Sequence, residues 1–103
     1  MKPVIIVSTF PNKAIIKKIG KQLVEKRLTA CVNISKIDSI YAWKGKIQND
    51  SEYLAIFKTT KKNQASLKKE IKKLHPYDVP EIAEINVNSL NKSYLDWLVD
   101  STN

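Results

Sequence analysis

Two long strand-like segments joined by Lys44 and Gly45 constrain the fold of this chain more than any other feature. The first covers residues 29–44 and the second covers residues 46–60. A Lys-Gly pair between two such segments is typical of a tight hairpin turn. Each arm has about 14 residues and would extend roughly 45 Å, whereas a usual strand has about 5–6 residues. We therefore predict a hairpin whose outer half projects past the body of the domain.

The projecting half of this hairpin carries large apolar side chains, among them Ile40, Tyr41, Trp43 and Ile47. Burying each such side chain contributes about 1.5–3 kcal/mol. Left in water, they would form a larger apolar patch than monomers usually expose, beside open strand edges. We therefore expect the chain to associate with itself through the hairpin.

Within the hairpin, the apolar pattern changes phase near Lys36, and this change predicts a bulge or a bend in the first arm. In the second arm, the polar run of residues 49–51 predicts an interruption of the strand. The first segment of the chain, residues 2–9, is an apolar and β-rich run, which is typical of a strand buried on both faces.

The remaining segments show helical periodicity or short strand patterns. Asn12 is the predicted N-cap of a first helix that runs to about Arg27, and Gly20 within it suggests close packing of the helix on a sheet. Asn63 and Asn91 are the predicted N-caps of two further helices. The second helix has an apolar stripe of Leu67, Ile71 and Leu74, the last strand covers residues 81–87, and the third helix packs through Tyr94, Leu95, Leu98 and Val99.

The order of these elements is β-α-β-β-α-β followed by a C-terminal helix. This order predicts an α+β fold of the ferredoxin-like type, with the first two helices on one face of an antiparallel sheet. A length of 103 residues is appropriate for a single domain covering residues 1–103.

Residues 75–81, HPYDVPE, connect the second helix to the last strand and contain the only histidine, His75. Two prolines fix the backbone here, and a residue before proline avoids the helical region, so His75 should end the helix. This segment is interpreted either as a rigid connector or as a preorganised site built on that connector. The sequence leaves both interpretations open.

The formal net charge of +8 is concentrated in two segments. Residues 13–27 and residues 61–73 each contain six basic residues and one acidic residue, so the rest of the chain is acidic on balance. Lysines opposite an apolar stripe indicate solvated helix faces, or alternatively a surface for phosphate backbones. An RNA-recognition motif is excluded because the third strand lacks its glycine and the first lacks its aromatic residue. We expect no specific nucleic-acid partner.

The sequence gives little support to catalysis, and we expect a protein that is not an enzyme. No serine or cysteine nucleophile stands at motif spacing from a histidine, and Gly20 and Gly45 are too few for a phosphate-binding loop. The apolar run of residues 4–7 is too short for a signal peptide or a membrane span, so no membrane association is expected. The single cysteine, Cys31, excludes an internal disulfide and fits a reducing cytoplasm.

Five sequence blocks resemble the CutA divalent-cation (copper) tolerance family, and they occur in order over nearly the whole chain. They are residues 30–34 (ACVNI), 41–47 (YAWKGKI), 57–60 (FKTT), 75–82 (HPYDVPEI) and 94–98 (YLDWL). The resemblance implies a ferredoxin-like subunit that forms a homotrimer through its long hairpin, a cytoplasmic location, and a role in tolerance of copper(II) or another divalent cation.

The resemblance also implies candidate metal ligands, namely His75, Cys31 and Glu81. Ser8 and Leu74 replace a cysteine and a histidine that some members of the family have. A copper or zinc site usually needs three or four imidazole, thiolate or carboxylate ligands. We therefore expect weak cation binding, completed by carboxylates or by a neighbouring subunit. Two alternatives remain open: a trimeric small-ligand-binding signalling module of the PII-like type, and a structural or scaffold trimer without a ligand.

Overall fold

The structure is a computed structural model that covers residues 1–103. It has an α+β fold with one antiparallel sheet. The predicted element order is confirmed, and the four strands lie in the order β2-β3-β1-β4. The strands are β1 Pro3–Phe10, β2 Cys31–Trp43, β3 Lys46–Thr60 and β4 Ala83–Asn86, and the helices are α1 Lys13–Glu25, α2 Gln64–Leu74 and α3 Lys92–Ser101. None of the three helices is long and apolar enough to span a membrane.

The core lies between one face of the sheet and the helices α1 and α2. It contains Val4, Ile6, Phe10, Ala55 and Phe57 from the sheet and Ile16, Ile19, Leu23, Leu67 and Ile71 from the two helices. Along β1, buried and half-buried residues alternate. The prediction that β1 is buried on both faces is therefore correct only for the face under α1 and α2, because the residues on the other face are half-buried.

The first helix begins as predicted. Asn12 lies in an extended conformation, and its side-chain Oδ1 accepts a hydrogen bond of 2.9 Å from the backbone N–H of Ile15. Gly20 is buried against β2, where an added Cβ would lie 3.5 Å from the side chain of Val32. That separation is an ordinary van der Waals contact, so the helix approaches the sheet closely without requiring glycine.

The hairpin turn is a two-residue loop with both residues in the left-handed region. Lys44 has φ 51° and Gly45 has φ 77°, as hairpin turns that match the twist of their strands require. The arms have 13 and 15 residues. Because β1 ends where Phe10 pairs with Tyr53, residues 46–52 of β3 extend beyond β1 and pair only with β2. The predicted projection of the hairpin is confirmed.

The pairing of β2 with β3 is continuous from Cys31 opposite Lys58 to Trp43 opposite Lys46. Of the bulge or bend predicted near Lys36, the continuous register excludes the bulge, and the predicted interruption at residues 49–51 is wrong. The phase change has another cause. The inner residues of β2 pack against the core under α1 and α2. The apolar residues of the outer hairpin are exposed and do not contact this core, so they need not follow the same alternation.

Asn63 and Asn91 occupy the predicted N-cap positions of α2 and α3, but neither side chain makes the capping hydrogen bond. Asn63 stands at the start of α2, but its Nδ2 donates a 2.7 Å hydrogen bond to the backbone oxygen of Thr102 and thereby ties the C-terminus to the body. Asn91 precedes α3, and its Nδ2 donates to Ser93 Oγ. The end of α2 is as predicted, because His75 leaves the helical conformation with φ −68° and ψ 134° immediately before Pro76.

Candidate functional site

A cleft lies between the outer half of the hairpin and the loop of residues 75–81. Its volume is about 610 Å³. Four carboxylate residues line it, together with three aromatic residues, and no lysine, arginine or histidine does so. The lining residues are Thr9, Pro11, Tyr41, Trp43, Asp50, Ser51, Glu52, Tyr77, Asp78, Val79 and Glu81. In a chain with a net charge of +8, this cleft is a local acidic site.

Two tyrosine hydroxyls hold two of these carboxylates in place. Tyr41 Oη donates a 2.6 Å hydrogen bond to Asp50 Oδ2, and Tyr77 Oη donates a 2.8 Å hydrogen bond to Glu52 Oε2. The bond to Asp50 raises the pKa of Tyr41, and burial followed by the bond to Glu52 raises the pKa of Tyr77. Both phenols therefore stay protonated near neutral pH, and each carboxylate keeps lone pairs free to accept from a ligand.

His75 lies behind the cleft and supports its wall. The side chain is only 9% exposed, and its ring stacks on Phe10 with a centroid distance of 4.3 Å. Its Nδ1 accepts a 3.2 Å hydrogen bond from the backbone N–H of Tyr77, and its Nε2 lies 3.0 Å from Ser8 Oγ. A neutral ring that accepts at Nδ1 carries its proton on Nε2, so we assign Nε2–H as the donor to Ser8. His75 thus fixes the position of Tyr77.

The protonation state of His75 follows from its surroundings. Burial lowers the pKa of the imidazole because the charged form loses hydration. A backbone hydrogen bond at Thr9 and the charge of Glu52 act in the opposite direction but do not outweigh burial. Near neutral pH the ring is therefore uncharged, and both of its nitrogens are engaged within the chain.

The three predicted ligands do not meet within one subunit. Glu81 lines the cleft, and His75 lies behind it. Cys31 is half-buried at the inner end of β2, where its Sγ is 3.8 Å from Asn33 Oδ1. Strand β3 separates Cys31 from Ser8 on β1, and Cys31 pairs with Lys58 whereas Ser8 pairs with Ala55. The two residues are therefore roughly 10 Å apart across the sheet and roughly 10 Å apart along it. No group of three or more histidine, cysteine, aspartate or glutamate side chains lies close enough to hold a metal ion.

The sequence prediction did not include Asp50, Glu52 or Tyr77 among the candidate site residues. Asp50 and Glu52 are two positions apart on β3, a spacing that places both side chains on one face of a strand. These two residues also lie outside the two basic segments, in the part of the chain that is acidic on balance. Their spacing in that part of the chain could have indicated a site. The partners Tyr41 and Tyr77 come from β2 and from the loop after α2, and only the folded chain brings them to these carboxylates.

Comparison with known proteins identifies the family. Residues 4–101 match the family model described as CutA1 divalent ion tolerance protein. The chain belongs to this CutA1 family. The "Divalent-cation tolerance protein CutA" of Thermotoga maritima is 45% identical over 95% of this chain and 97% of its own length.

Solved structures of CutA1 proteins have the same fold as this chain. The crystal structure of CutA1 from Pyrococcus horikoshii has a TM-score of 0.94 and 42% identity, and the match covers 97% of this chain and 98% of that one. The structure from Archaeoglobus fulgidus, described as a periplasmic divalent cation tolerance protein CutA, has a TM-score of 0.94 and 36% identity over 98% and 99% of the two chains. The resemblance found in the sequence is confirmed.

Proposed function

We propose that this protein acts in divalent-cation tolerance as a homotrimer without enzymatic activity, and that it binds a divalent cation weakly in the acidic cleft. The observation that supports this proposal is the lining of the cleft, which contains four carboxylates and no cationic side chain although the chain carries a net charge of +8. Membership of the CutA1 family directs the proposal to divalent ions. The free thiol of Cys31 supports a cytoplasmic location.

The donor chemistry of the cleft favours one class of cation. Carboxylate oxygens suit Mg²⁺, Ca²⁺ and Mn²⁺, whereas copper(II) prefers imidazole nitrogen. Glu81 is the predicted ligand that lies directly in the cleft. For His75 to bind copper(II), it would have to give up its hydrogen bond to Ser8 or to Tyr77. For Cys31 to take part, the missing ligands would have to come from another subunit. Each of these requirements makes binding weak.

The homotrimer is proposed on the apolar surface of the hairpin. Ile40 and Ile47 are 73% and 75% exposed in the isolated subunit, and Trp43 is half-exposed. Residues 46–52 of β3 also leave a strand edge unpaired beyond the end of β1. Association of ferredoxin-like subunits through the hairpin would cover both features. Light scattering should give three times the chain mass of 11.8 kDa, and a monomer that persists at high concentration would contradict this part of the proposal.

Cation binding is tested by equilibrium dialysis with elemental analysis, using Mn²⁺ and Cu²⁺ separately. The double variant Glu52→Gln/Glu81→Gln removes two negative charges from the cleft and keeps hydrogen-bonding oxygens on both side chains. Its matched control is Glu25→Gln/Asp100→Asn, in which both changed residues are exposed and lie outside the cleft. We expect less bound cation per chain for the cleft variant and an unchanged amount for the control.

A third variant, His75→Ala, separates the two possible ligand sets. If the cleft carboxylates bind the cation, Mn²⁺ binding persists in His75→Ala with at most a modest loss, because the ring supports Tyr77 without lining the cleft. Loss of Cu²⁺ in His75→Ala, together with full retention in the cleft variant, would reject the carboxylate site and support the ligands predicted from the sequence.

A second candidate function is the binding of a small organic ligand, as in trimeric signalling modules of the PII-like type. The volume of about 610 Å³ falls within the range of small-molecule sites, and Tyr41 and Trp43 add aromatic surface to the cleft. Against it, the two-residue turn at Lys44 and Gly45 leaves no long loop between β2 and β3. A thermal-shift screen with nucleotides and metabolites tests this function, and stabilisation by none of them would reject it.

A further inference from the structure

The outer surface of the helical layer is strongly basic. Helices α1 and α2 bury their apolar stripes in the core and turn lysines outward. Six of these lysines, together with Lys62 in the turn before α2, are exposed and take part in no salt bridge; we call these seven the basic face. They are Lys13, Lys17, Lys18, Lys21, Lys62, Lys69 and Lys72.

Carboxylates in this part of the molecule are largely neutralised by other lysines. Glu70 contacts Lys26 at 3.0 Å and Lys73 at 4.0 Å, and its pKa is lowered chiefly by the bond to Lys26. Glu84 of β4 is held by Lys61 and Lys68 in the same way. The only other acidic residue in the two basic segments is Glu25. The charge of the basic face is therefore not balanced within the chain.

The length of the basic face corresponds to that of a short segment of duplex nucleic acid, which carries regularly spaced phosphates. Helix α1 has 13 residues, which is roughly 20 Å of helix, and neighbouring helices pack about 8–10 Å apart. A stretch of duplex nucleic acid of about 20 Å carries roughly 12 negative charges, at one per about 1.7 Å. We propose that the basic face binds the phosphate backbone of double-stranded nucleic acid without reading its base sequence.

The side chains of the two helices distinguish a duplex from other anionic partners. Helices that dock on membranes insert apolar side chains between lipids, but the only large apolar residue exposed on α1 or α2 is Val24, at 40%. Proteins that hold single strands stack the bases on aromatic rings, and neither helix contains an aromatic residue. A surface that offers ammonium groups without exposed aromatic side chains is suited to the phosphate backbone of a duplex, whose bases are already paired.

The basic face and the proposed cation site have no residue in common. None of the seven lysines lines the acidic cleft. The proposed trimer contacts involve the outer half of the hairpin. The basic face lies elsewhere, on the solvent side of the helices α1 and α2. A trimer would present three such faces to solvent, which raises the avidity for one long polymer.

The test measures fluorescence anisotropy of a short labelled duplex of mixed sequence at several salt concentrations between about 50 and about 200 mM. The variant Lys18→Gln/Lys21→Gln/Lys72→Gln removes three charges from the basic face. Its matched control, Lys2→Gln/Lys36→Gln/Lys46→Gln, removes three exposed charges from elsewhere, so both variants have the same net charge.

Wild type and control should bind the duplex, with log K falling steeply as log salt rises. The basic-face variant should bind more weakly, and the slope should become shallower by up to about 2.7, since each lost phosphate contact removes about 0.9. Three results would overturn the proposal: no binding of the duplex at low salt, equal weakening in both triple variants, or tighter binding to anionic vesicles or to single strands. If the triple variant does not fold, the three single substitutions carry the same comparison.

Discussion

Acidification should destabilise this protein through its only histidine. His75 is buried, and burial lowers its pKa because the charged ring loses hydration. Protonation would also place a hydrogen on Nδ1, which at present accepts the backbone N–H of Tyr77. The charged ring therefore fits the folded state poorly, and the folded state should bind its proton less readily than the unfolded chain does.

The sign and size of the effect follow from proton linkage. The unfolded chain has a histidine pKa of about 6.5, and the folded value is lower. Between these two values the unfolded state binds more protons, so the free energy of unfolding falls as the pH falls below about 6.5. One proton gives a slope of at most about 1.4 kcal/mol per pH unit. The pKa values of Glu70 and Glu84 are lowered by their lysine partners from 4.5, so their contribution is lost only at more acidic pH.

Urea unfolding, followed by tryptophan fluorescence at fixed protein concentration between about pH 5 and about pH 8, measures this slope. The variant His75→Gln is uncharged throughout that range and serves as the control. We expect the stability of the wild type to fall relative to that of the variant as the pH decreases below about 6.5. NMR titration of the single imidazole should give a midpoint below 6.5. A midpoint at or above that value, or an identical pH dependence in the two proteins, would refute the reasoning.

Three further substitutions test a hydrogen bond of His75, the hydrophobic core and the hairpin turn, each by urea unfolding. Ser8→Ala removes the partner of His75 Nε2 at a buried position and should cost about 1–3 kcal/mol; an unchanged stability would reject this hydrogen bond. Leu67→Ala opens a cavity in the fully buried core and should cost about 2–5 kcal/mol, and a loss below that range would mean that the core collapses around it. Gly45→Ala places a Cβ at φ 77° and should cost about 1–2 kcal/mol, whereas a neutral result would show that the turn can rearrange.

Local patterns in the sequence predicted the parts of the fold that depend on neighbouring residues. Asn12 caps α1 because its side chain reaches a backbone N–H only three residues away. Lys44 and Gly45 form the turn because the two residues themselves adopt left-handed conformations. His75 ends α2 because Pro76 follows it. Each of these predictions needed no knowledge of distant contacts.

The predictions that failed depend on contacts between distant segments. Asn63 stands at a cap position, but its side chain binds the backbone of Thr102, 39 residues later. The bulge inferred near Lys36 came from apolar residues of the outer hairpin, whose surroundings differ from those of the inner half. Similarly, the bond between Tyr77 and Glu52 joins residues 25 positions apart. Since the walls of the cleft come from separate segments, its carboxylates could not be assembled from spacing alone.

The location of a bound cation tests the central claim most directly. Crystals soaked in Mn²⁺ and measured for its anomalous scattering would place the ion without assumptions about its ligands. We predict a peak in the cleft, with one or two carboxylate oxygens from Asp50, Glu52, Asp78 or Glu81 at about 2.0–2.6 Å and water as the remaining ligands, since no three of these groups lie close enough to hold an ion. A peak held instead by His75, or ions bound only outside the cleft, would contradict the account.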